Sequence, residues 1–433
     1  MKSNSYDKYF GITTFGESHG KAIGVVIEDV KPGITFPLDR IQEALNERKP
    51  GVGTYSSSRK EKDEIQVLSG VFEGKTTGMP ICLLVYNEDA HTKDYEHLKD
   101  LFRPGHADFS YFSKFKIYDY RGGGRASGRE TLSRVAAAGL VEDILKDINI
   151  NIYPIKIGII ETTVIDHSFQ NELSWHDRTN YDELTKHLTD IKNEGNSVGG
   201  IVEVKITNIP AGLGDPVFEK LDANLAKAII SIGAVKGIEF GEGFNFAELK
   251  GNEANDQMNK NGFITNHNGG VLGGISNGND LVFRFVVKPT PSINITQKTV
   301  THDNNEVEFK SLGRHDTFII PRIIPVAKAM IKLVLVDAIS YQKLISSQKI
   351  NLNDYREAVD KIDEEILIAL GRRLKISELI GKFKQENDLQ IENKSREEEL
   401  FSALKQKAKL WNIDELLITS IWKIIISESK KRQ

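Results

Sequence analysis

The segment RGGGRASGRET, residues 121–131, opens an alanine-rich stretch and carries the strongest structural signal in the chain. Its glycines allow the backbone to approach a ligand closely, and Ser127 and Glu130 have the spacing of a capping box at a helix start. A helix N-terminus flanked by arginines favours a bound phosphate or carboxylate. The alternative is an ordinary glycine loop with solvated arginines.

On both sides of this segment, apolar and β-branched runs alternate with helical patterns, which predicts an α+β sandwich. The expected strands cover residues 22–30, 65–72, 80–86, 150–161, 200–206 and 281–288. The expected helices cover residues 38–48, 131–148, 217–232 and 323–345.

The end of the chain differs in composition from the rest. Of 36 glycines only Gly371 and Gly381 lie in 355–433, and all 12 prolines precede residue 326. Because glycine and proline interrupt helices, 355–433 is predicted to be a small all-α domain of three helices. We expect one domain at 1–345 and a second at 355–433, joined by the polar linker 346–354.

The first helix of the second domain is expected to begin at Asp354, which has capping-box spacing to Glu357. Its apolar periodicity continues for about thirty residues, longer than most globular helices. A helix of that length needs a partner, so we expect it to pack against another chain. The second helix is expected at 394–410 and the third after Asp414.

Composition excludes several classes of protein. The formal net charge of −4 gives no basic field for nucleic acid or anionic lipid. A single cysteine, Cys82, excludes a disulfide framework and a clustered cysteine metal site. The first residues lack the apolar core of a signal peptide, and no apolar run reaches the ~20 residues of a membrane helix. We therefore expect a cytoplasmic enzyme or binding protein.

Three histidines, His19, His106 and His315, lie among glycines and charged residues and are candidate acids or bases. A lone histidine is more often structural, and no pair has the short spacing of a metal motif, so no metal is expected. The glycine-rich segment 266–279 and the segment around Lys288 could wrap a phosphorylated cofactor. Ordinary loops are the alternative.

Six motifs, in order along the chain, resemble chorismate synthase over about residues 9–345. They are FGESHG (15–20), RPGHADFSY (103–111), DYRGGGRASGRET (119–131), GGVLGGIS (269–276), KPTPS (288–292) and GRHD (313–316). The resemblance implies a lyase that converts 5-enolpyruvylshikimate 3-phosphate to chorismate and phosphate by a 1,4-anti elimination. It also implies reduced FMN, which lends an electron transiently and helps to take the C6 hydrogen without net redox change.

The same resemblance implies roles for individual residues. His19 and His106 are the expected acid/base histidines, one protonating the departing phosphate and the other the flavin, and Asp316 is expected to help relay the flavin-side proton. The expected FMN site consists of Arg125, Ala126, Ser127, Gly233, Ala234, Gly273, Lys288, Pro289, Thr290, Pro291, Ser292 and Arg314.

Two further arginines are expected to bind anions. The resemblance implies that Arg129 binds a substrate anion, and that Arg48 contacts the substrate or a reduced nicotinamide. Many relatives have a second arginine six residues after Arg48, where this chain has Thr54. NADPH is therefore a weaker expectation than FMN.

The helical tail carries its own set of polar residues. Arg373 and Lys384 share one helix face about 16 Å apart, where two long cations could converge on a small dianion. Arg356 lies about 26 Å before Arg373 and off that face, so only a neighbouring chain could bring it to the same ligand. Ser429 and Gln433 are four residues apart and face the same way. The alternative is the charged surface of a coiled-coil tail.

Four segments of the tail resemble the all-helical chorismate mutase domain: REAVDKIDEEILIALGRR (356–373), GKFK (381–384), SREEEL (395–400) and IIISESKKRQ (424–433). That family rearranges chorismate to prephenate without nucleophile, metal or cofactor, by holding the diaxial conformer and placing cations at the ether oxygen. The resemblance implies Arg373 and the partner's Arg356 on the carboxylates, Lys384 and Gln433 on the ether oxygen, and Arg396, Glu397 and Ser429 on the ring and hydroxyl. Many relatives have aspartate where this chain has Asn393.

Together the two resemblances predict a bifunctional enzyme of aromatic amino-acid synthesis. They imply a homo-oligomer with a tetrameric synthase core and mutase dimers, two small-molecule substrates, and no nucleic acid or membrane partner. The first alternative is an active synthase with a catalytically silent assembly or regulatory tail. Two more distant alternatives are a flavin-dependent oxidoreductase and a non-catalytic binder of phosphorylated ligands.

Overall fold

The computed structural model describes residues 3–6, 9–49, 54–55, 61–88, 98–117, 119–311, 316–346, 352–390, 392, 394–410 and 413–432. The chain divides into two compact units, Met1–Gln342 and Lys343–Gln433. Several sequence predictions fall outside the described residues: Arg314, His315, Asn393, Gln433, most of the linker, and the side chains of Asp354 and Glu357.

The strands of the first unit are β1 (Ser5–Tyr6), β2 (Ile12–Gly16), β3 (Ala22–Ile27), β4 (Gln66–Ser69), β5 (Val71–Phe72), β6 (Lys75–Thr76), β7 (Ile81–Tyr86), β8 (Asn149–Ile157), β9 (Ile160–Glu161), β10 (Gly200–Thr207), β11 (Val235–Phe240), β12 (Met258–Asn259), β13 (Gly262–Phe263), β14 (Val271–Leu272), β15 (Ile275–Ser276), β16 (Leu281–Val287), β17 (Gln297–Val300) and β18 (Glu306–Phe309). Two antiparallel five-stranded sheets form the frame, in the orders β1-β2-β3-β7-β4 and β11-β16-β10-β8-β9. The remaining pairs are two-stranded hairpins.

Alternating burial explains why the second sheet forms. On β10 the side chains of Val202, Val204 and Ile206 are buried and their neighbours are more exposed. On β16 the same period of two buries Phe283 and Phe285. Because successive side chains of a strand point to opposite faces, one face of this sheet covers the core and the other does not.

The helices of the first unit are α1 (Leu38–Arg48), α2 (Asp108–Phe115), α3 (Thr131–Ala138), α4 (Tyr181–Asn193), α5 (Leu221–Ile230), α6 (Gly251–Ala254) and α7 (Ile320–Ile345), whose last residues belong to the second unit. Helix α3 packs closely on α1, since a Cβ added at Gly139 would lie 2.6 Å from Ile41 Cγ1. The mixture of sheets and helices confirms the predicted α+β class. The helix predicted over 131–148 is wrong in its second half, where a 3₁₀ turn at Glu142–Leu145 follows the end of α3.

The second unit consists of three helices, α8 (Leu352–Glu386), α9 (Lys394–Leu410) and α10 (Glu415–Lys431), as the composition of the tail predicts. Asp414 caps α10, accepting a hydrogen bond from Leu417 N at 2.9 Å. Helix α8 leaves a row of apolar side chains more than two-fifths exposed, which we call the α8 apolar row: Val359, Ile362, Ile366, Leu367, Ile376, Leu379, Ile380 and Phe383.

Candidate active sites

A cavity of about 1500 Å³ lies in the first unit. Among the described residues, nine cationic side chains and four carboxylates line it, so the field of these residues is positive although the whole chain carries a formal charge of −4. The cations are Arg48, Arg103, Arg125, Arg129, Arg134, Lys227, Lys236, Lys288 and Arg322, and the carboxylates are Glu61, Asp108, Glu130 and Asp316.

The glycine loop forms one wall of the cavity and packs on His19. Gly122 has φ +64°, and a Cβ added there would lie 2.0 Å from His19 Cε1. Only glycine therefore allows the loop to cover the imidazole in this way. Ser127 accepts from Arg129 N at 3.3 Å, whereas the Glu130 carboxylate pairs with Arg134 instead of completing the predicted capping box.

His19 lies behind this loop and is buried. The Ser18 hydroxyl donates to Gly122 O at 3.2 Å, so its oxygen is available to accept the Nδ1 hydrogen of His19 at 3.0 Å. In the described part of the chain the cavity wall includes Gly122 but not the His19 side chain.

His106 lines the cavity directly. Its Nδ1 lies 3.0 Å from the carbonyl oxygen of Pro104, so Nδ1 is the donor, and its Nε2 lies 3.0 Å from Ser292 Oγ. Burial, together with the positive charge of Arg103, lowers the pKa of His106 to about 4. The imidazole is therefore neutral near pH 7, and its Nε2 accepts the hydroxyl hydrogen of Ser292.

Arg48 and Arg129 meet on one carboxylate that the sequence analysis missed. Asp63 accepts from Arg48 Nη2 and from Arg129 Nη1, each at 2.6 Å. Glu61 lies 3.3 Å from Arg129 Nη2. Burial lowers the pKa of Arg48 to about 10, against the opposing charge of Asp63, so Arg48 stays charged near pH 7. Both acids belong to the polar run 59–64, which has no periodicity to mark them.

Most of the expected cofactor residues line the same cavity. Arg125, Ala126, Ser127, Gly233, Ala234, Lys288, Thr290, Pro291 and Ser292 all do so, as does Asp316. Asp316 pairs with Arg322 at 2.5 Å, and its carbonyl accepts from Thr290 Oγ1 at 2.8 Å. Among the described residues, Gly273 and Pro289 are expected cofactor contacts that do not line the cavity.

In the second unit the expected residues fall on facing sides of α8 and α10. Arg373 donates to the hydroxyl of Ser429, which is itself buried. Lys384 borders a smaller cavity of about 630 Å³ with Leu389, Gln390, Glu392 and Lys394. Arg373 and Lys384 are both partly buried, unlike the exposed side chains of the α8 apolar row.

The other residues of the tail site have local partners. Glu397 pairs with Lys430 at 2.8 Å, and Glu392 pairs with the same ammonium at 2.8 Å. Arg396 is exposed and pairs with Glu399 at 2.9 Å. Arg356 is exposed. Lys430, which the sequence analysis missed, therefore neutralises two carboxylates next to the buried Ser429.

A cationic, histidine-bearing cavity in one unit and a cluster of charged side chains on the helices of the other are typical of an enzyme that acts on phosphorylated or carboxylated ligands. The family profile described as chorismate synthase matches residues 10–340, and the profile described as chorismate mutase type II matches residues 355–433. The chain belongs to the chorismate synthase family and carries a type II chorismate mutase domain after it.

Individual relatives agree with this assignment. The chain is 47% identical over 353 residues to the chorismate synthase of Syntrophus aciditrophicus, covering 80% of this chain and 100% of that protein. It is 48% identical over 351 residues to that of Desulfosudis oleivorans, covering 80% and 99%. A crystal structure of chorismate synthase superposes with a TM-score of 0.60 at 27% identity, covering 83% of this chain and 98% of the other.

The chain is therefore a bifunctional shikimate-pathway enzyme that combines a lyase, chorismate synthase, with an isomerase, chorismate mutase. This confirms the predicted pair of activities. Among the described residues, no helix is long and apolar enough to cross a membrane.

Proposed function

We propose that the cavity of the first unit holds 5-enolpyruvylshikimate 3-phosphate beside reduced FMN, and that His19 and His106 manage the protons of the 1,4-anti elimination. The observation that carries this proposal is the neutral His106 on a wall that it shares with Arg125 and Lys288. A substrate with one phosphate and two carboxylates needs several cations around a site that can also exchange protons.

The residues present fit a phosphorylated flavin. The cavity of about 1500 Å³ has cationic side chains for a phosphate and an apolar stretch for a flat ring system, formed by Ile232, Ile323, Val326 and Met330. Lys288 and Arg125 are the candidate phosphate ligands. When bound, reduced FMN supplies transient electron density to the substrate as the carbon–oxygen bond to phosphate breaks.

The two histidines suit different proton tasks. His106 is neutral near pH 7 and holds its proton on Nδ1, so its Nε2 can accept a proton through the Ser292 hydroxyl. His19 is buried behind the glycine loop with Ser18 Oγ 3.0 Å from its Nδ1, and in its protonated form it can donate a proton. We assign proton transfer to the departing phosphate to His19 and proton exchange with the flavin to His106, with Asp316 helping to relay the flavin-side proton.

Substitution of His106 tests this assignment. His106→Ala should lower phosphate release by at least 10²-fold, the usual contribution of a positioned acid or base. Chorismate supplied directly should still be converted to prephenate at the parental rate. Unchanged phosphate release would contradict the catalytic assignment.

We propose that the mutase site lies between α8 and α10, with Arg373 binding a carboxylate and Lys384 at the ether oxygen. The contact of Arg373 with the buried Ser429 supports this, because it holds the guanidinium ready for a ligand. Asn393, Arg396, Glu397 and Gln433 of the same chain and the partner's Arg356 complete the proposed site.

The proposal includes a second copy of the chain at the mutase unit. The α8 apolar row is too exposed for a helix that functions alone, since a large apolar patch marks an interaction surface. A partner covering it would also bring its own Arg356. We further propose a tetrameric synthase core, and a cytoplasmic location that is supported by the single cysteine of the whole chain.

The proposal also concerns how the flavin is reduced. Thr54 replaces an arginine of many relatives, so we propose that flavin reduced elsewhere is the normal supply. Anaerobic assays with chemically reduced FMN and with FMN plus NADPH separate the two cases. Equal turnover in both would show that the protein reduces its own flavin with NADPH.

A further inference from the structure

The carboxylate of Asp63 sits at the centre of a buried network of charges. It is completely inaccessible to solvent, and its two oxygens accept from two different arginines at 2.6 Å. Burial alone would raise the pKa of Asp63, but Arg48 and Arg129 outweigh it and hold that pKa below its usual range. The carboxylate is therefore ionised and engaged on both sides.

Each arginine is held from more than one direction, which fixes the plane of its guanidinium. Arg129 also donates from Nε to Asn87 Oδ1 at 2.6 Å. Arg48 also donates from Nη1 to the Gly128 carbonyl at 3.5 Å. A planar guanidinium group held at two of its nitrogen atoms cannot rotate freely, so its remaining N–H groups keep a fixed direction.

Those remaining groups have no hydrogen bond. Arg48 Nε and Arg129 Nη2 are buried and donate none within the described part of the chain, although Arg129 Nη2 forms an ion pair with Glu61 at 3.3 Å. A buried donor without an acceptor is costly, so such groups are expected where a ligand supplies the acceptor. Both arginines line the cavity, whereas Asp63 lies behind them.

We propose that Asp63 is a positioning residue that aims Arg48 and Arg129 at the anionic groups of the substrate. This rests on the proposed substrate role of the two arginines. Without the Asp63 carboxylate, the buried cations Arg48 and Arg129 would repel each other and turn away from a common ligand. With it, the pair meets a phosphate or carboxylate in one fixed arrangement, so that less ordering is needed on binding.

The backbone at Asp63 is suited to the residue that occupies it. Its φ of +50° lies in the left-handed region, which aspartate and asparagine tolerate better than most residues. Gln42 holds the segment onto α1, donating to the Asp63 carbonyl and accepting from Ile65 N, each at 3.0 Å. Asparagine at position 63 therefore keeps the backbone preference while it replaces one acceptor oxygen with an NH₂ group that opposes an arginine N–H.

The test uses Asp63→Asn in the full chain, with KM for 5-enolpyruvylshikimate 3-phosphate measured anaerobically with reduced FMN. We expect KM to rise about ten- to a hundredfold, the effect of a lost charge-assisted contact, while kcat changes much less. Equilibrium dialysis of the same substrate without flavin should show the same loss of affinity. The matched control is Asp177→Asn, another fully buried carboxylate with several donors, which is outside the cavity and should leave KM unchanged.

Coupling to Arg129 separates positioning from general destabilisation. If Asp63 acts through Arg129, the double variant Asp63→Asn/Arg129→Gln should have nearly the KM of Arg129→Gln alone. If Asp63→Asn acts through general destabilisation, its effect on KM should instead add to that of Arg129→Gln. If Asp63→Asn does not fold, Gln42→Ala loosens the same segment and should raise KM severalfold. A parental KM in Asp63→Asn, with a raised KM in Arg129→Gln, would overturn the positioning role but keep the proposed site. A parental KM in Arg129→Gln would overturn both the positioning role of Asp63 and the proposed substrate site.

Discussion

Gly122→Ala isolates the packing of the glycine loop on His19. A Cβ at this position would come within 2.0 Å of His19 Cε1 and 2.2 Å of Nδ1, so either the loop or the imidazole has to move. The φ of +64° adds backbone strain of about 1–2 kcal/mol for a residue with a side chain. We expect synthase turnover to fall at least 10²-fold, because His19 leaves the position in which it can exchange a proton.

The control for this variant is Gly33→Ala. Gly33 has a similar φ of +81°, but a Cβ there would meet nothing within 4 Å. Both variants should therefore lose about the same free energy of unfolding from backbone strain, on the order of 1–2 kcal/mol, while only Gly122→Ala loses synthase activity. The assay is phosphate release with reduced FMN under anaerobic conditions, with mutase activity on added chorismate as the internal standard. Equal synthase rates in the two variants would refute the reasoning.

Three further predictions concern titration, capping and the second activity. For His106, the folded pKa of about 4 lies below the ordinary 6.5, so its contribution to stability is complete above about pH 6.5 and is lost as the pH falls towards 4. Comparing denaturant unfolding of the parent and His106→Gln at pH 5 and 7.5 should therefore show a pH-dependent difference on the order of 2 kcal/mol, and a constant difference would contradict the burial argument. Asp414→Ala should destabilise the second unit by about 1 kcal/mol through loss of the cap on Leu417 N, seen as a lower melting temperature for that unit, and an unchanged melt would show that the cap contributes nothing. Arg373→Ala should abolish prephenate formation while phosphate release from the first reaction continues, and retention of prephenate formation would favour a site elsewhere.

The fold was largely predictable because its signals are local. Apolar, β-branched runs predicted the strands β10 and β16, and the scarcity of glycine together with the lack of proline predicted the helical tail. The helix after the glycine loop was predicted too long, because the apolar residues beyond Gly139 pack in a 3₁₀ turn and do not continue the helix.

The site was predictable only where residues form motifs. His106, Arg125 and Ser292 stand in motifs that could be recognised from the sequence, and all line the same cavity. Asp63 could not be found in this way, since its importance comes from contacts 15 and 66 residues away in the sequence. Lys430 was missed for a similar reason, because its partners lie on the segment before α9 and on α9 itself.

The central claim is that one chain makes chorismate and then consumes it. The most direct test supplies 5-enolpyruvylshikimate 3-phosphate and reduced FMN anaerobically to the full chain and follows phosphate, chorismate and prephenate together. The account predicts that prephenate accumulates in step with phosphate and that Arg373→Ala converts the product to chorismate at the same rate of phosphate release. Accumulation of chorismate without prephenate in the parent protein would contradict it.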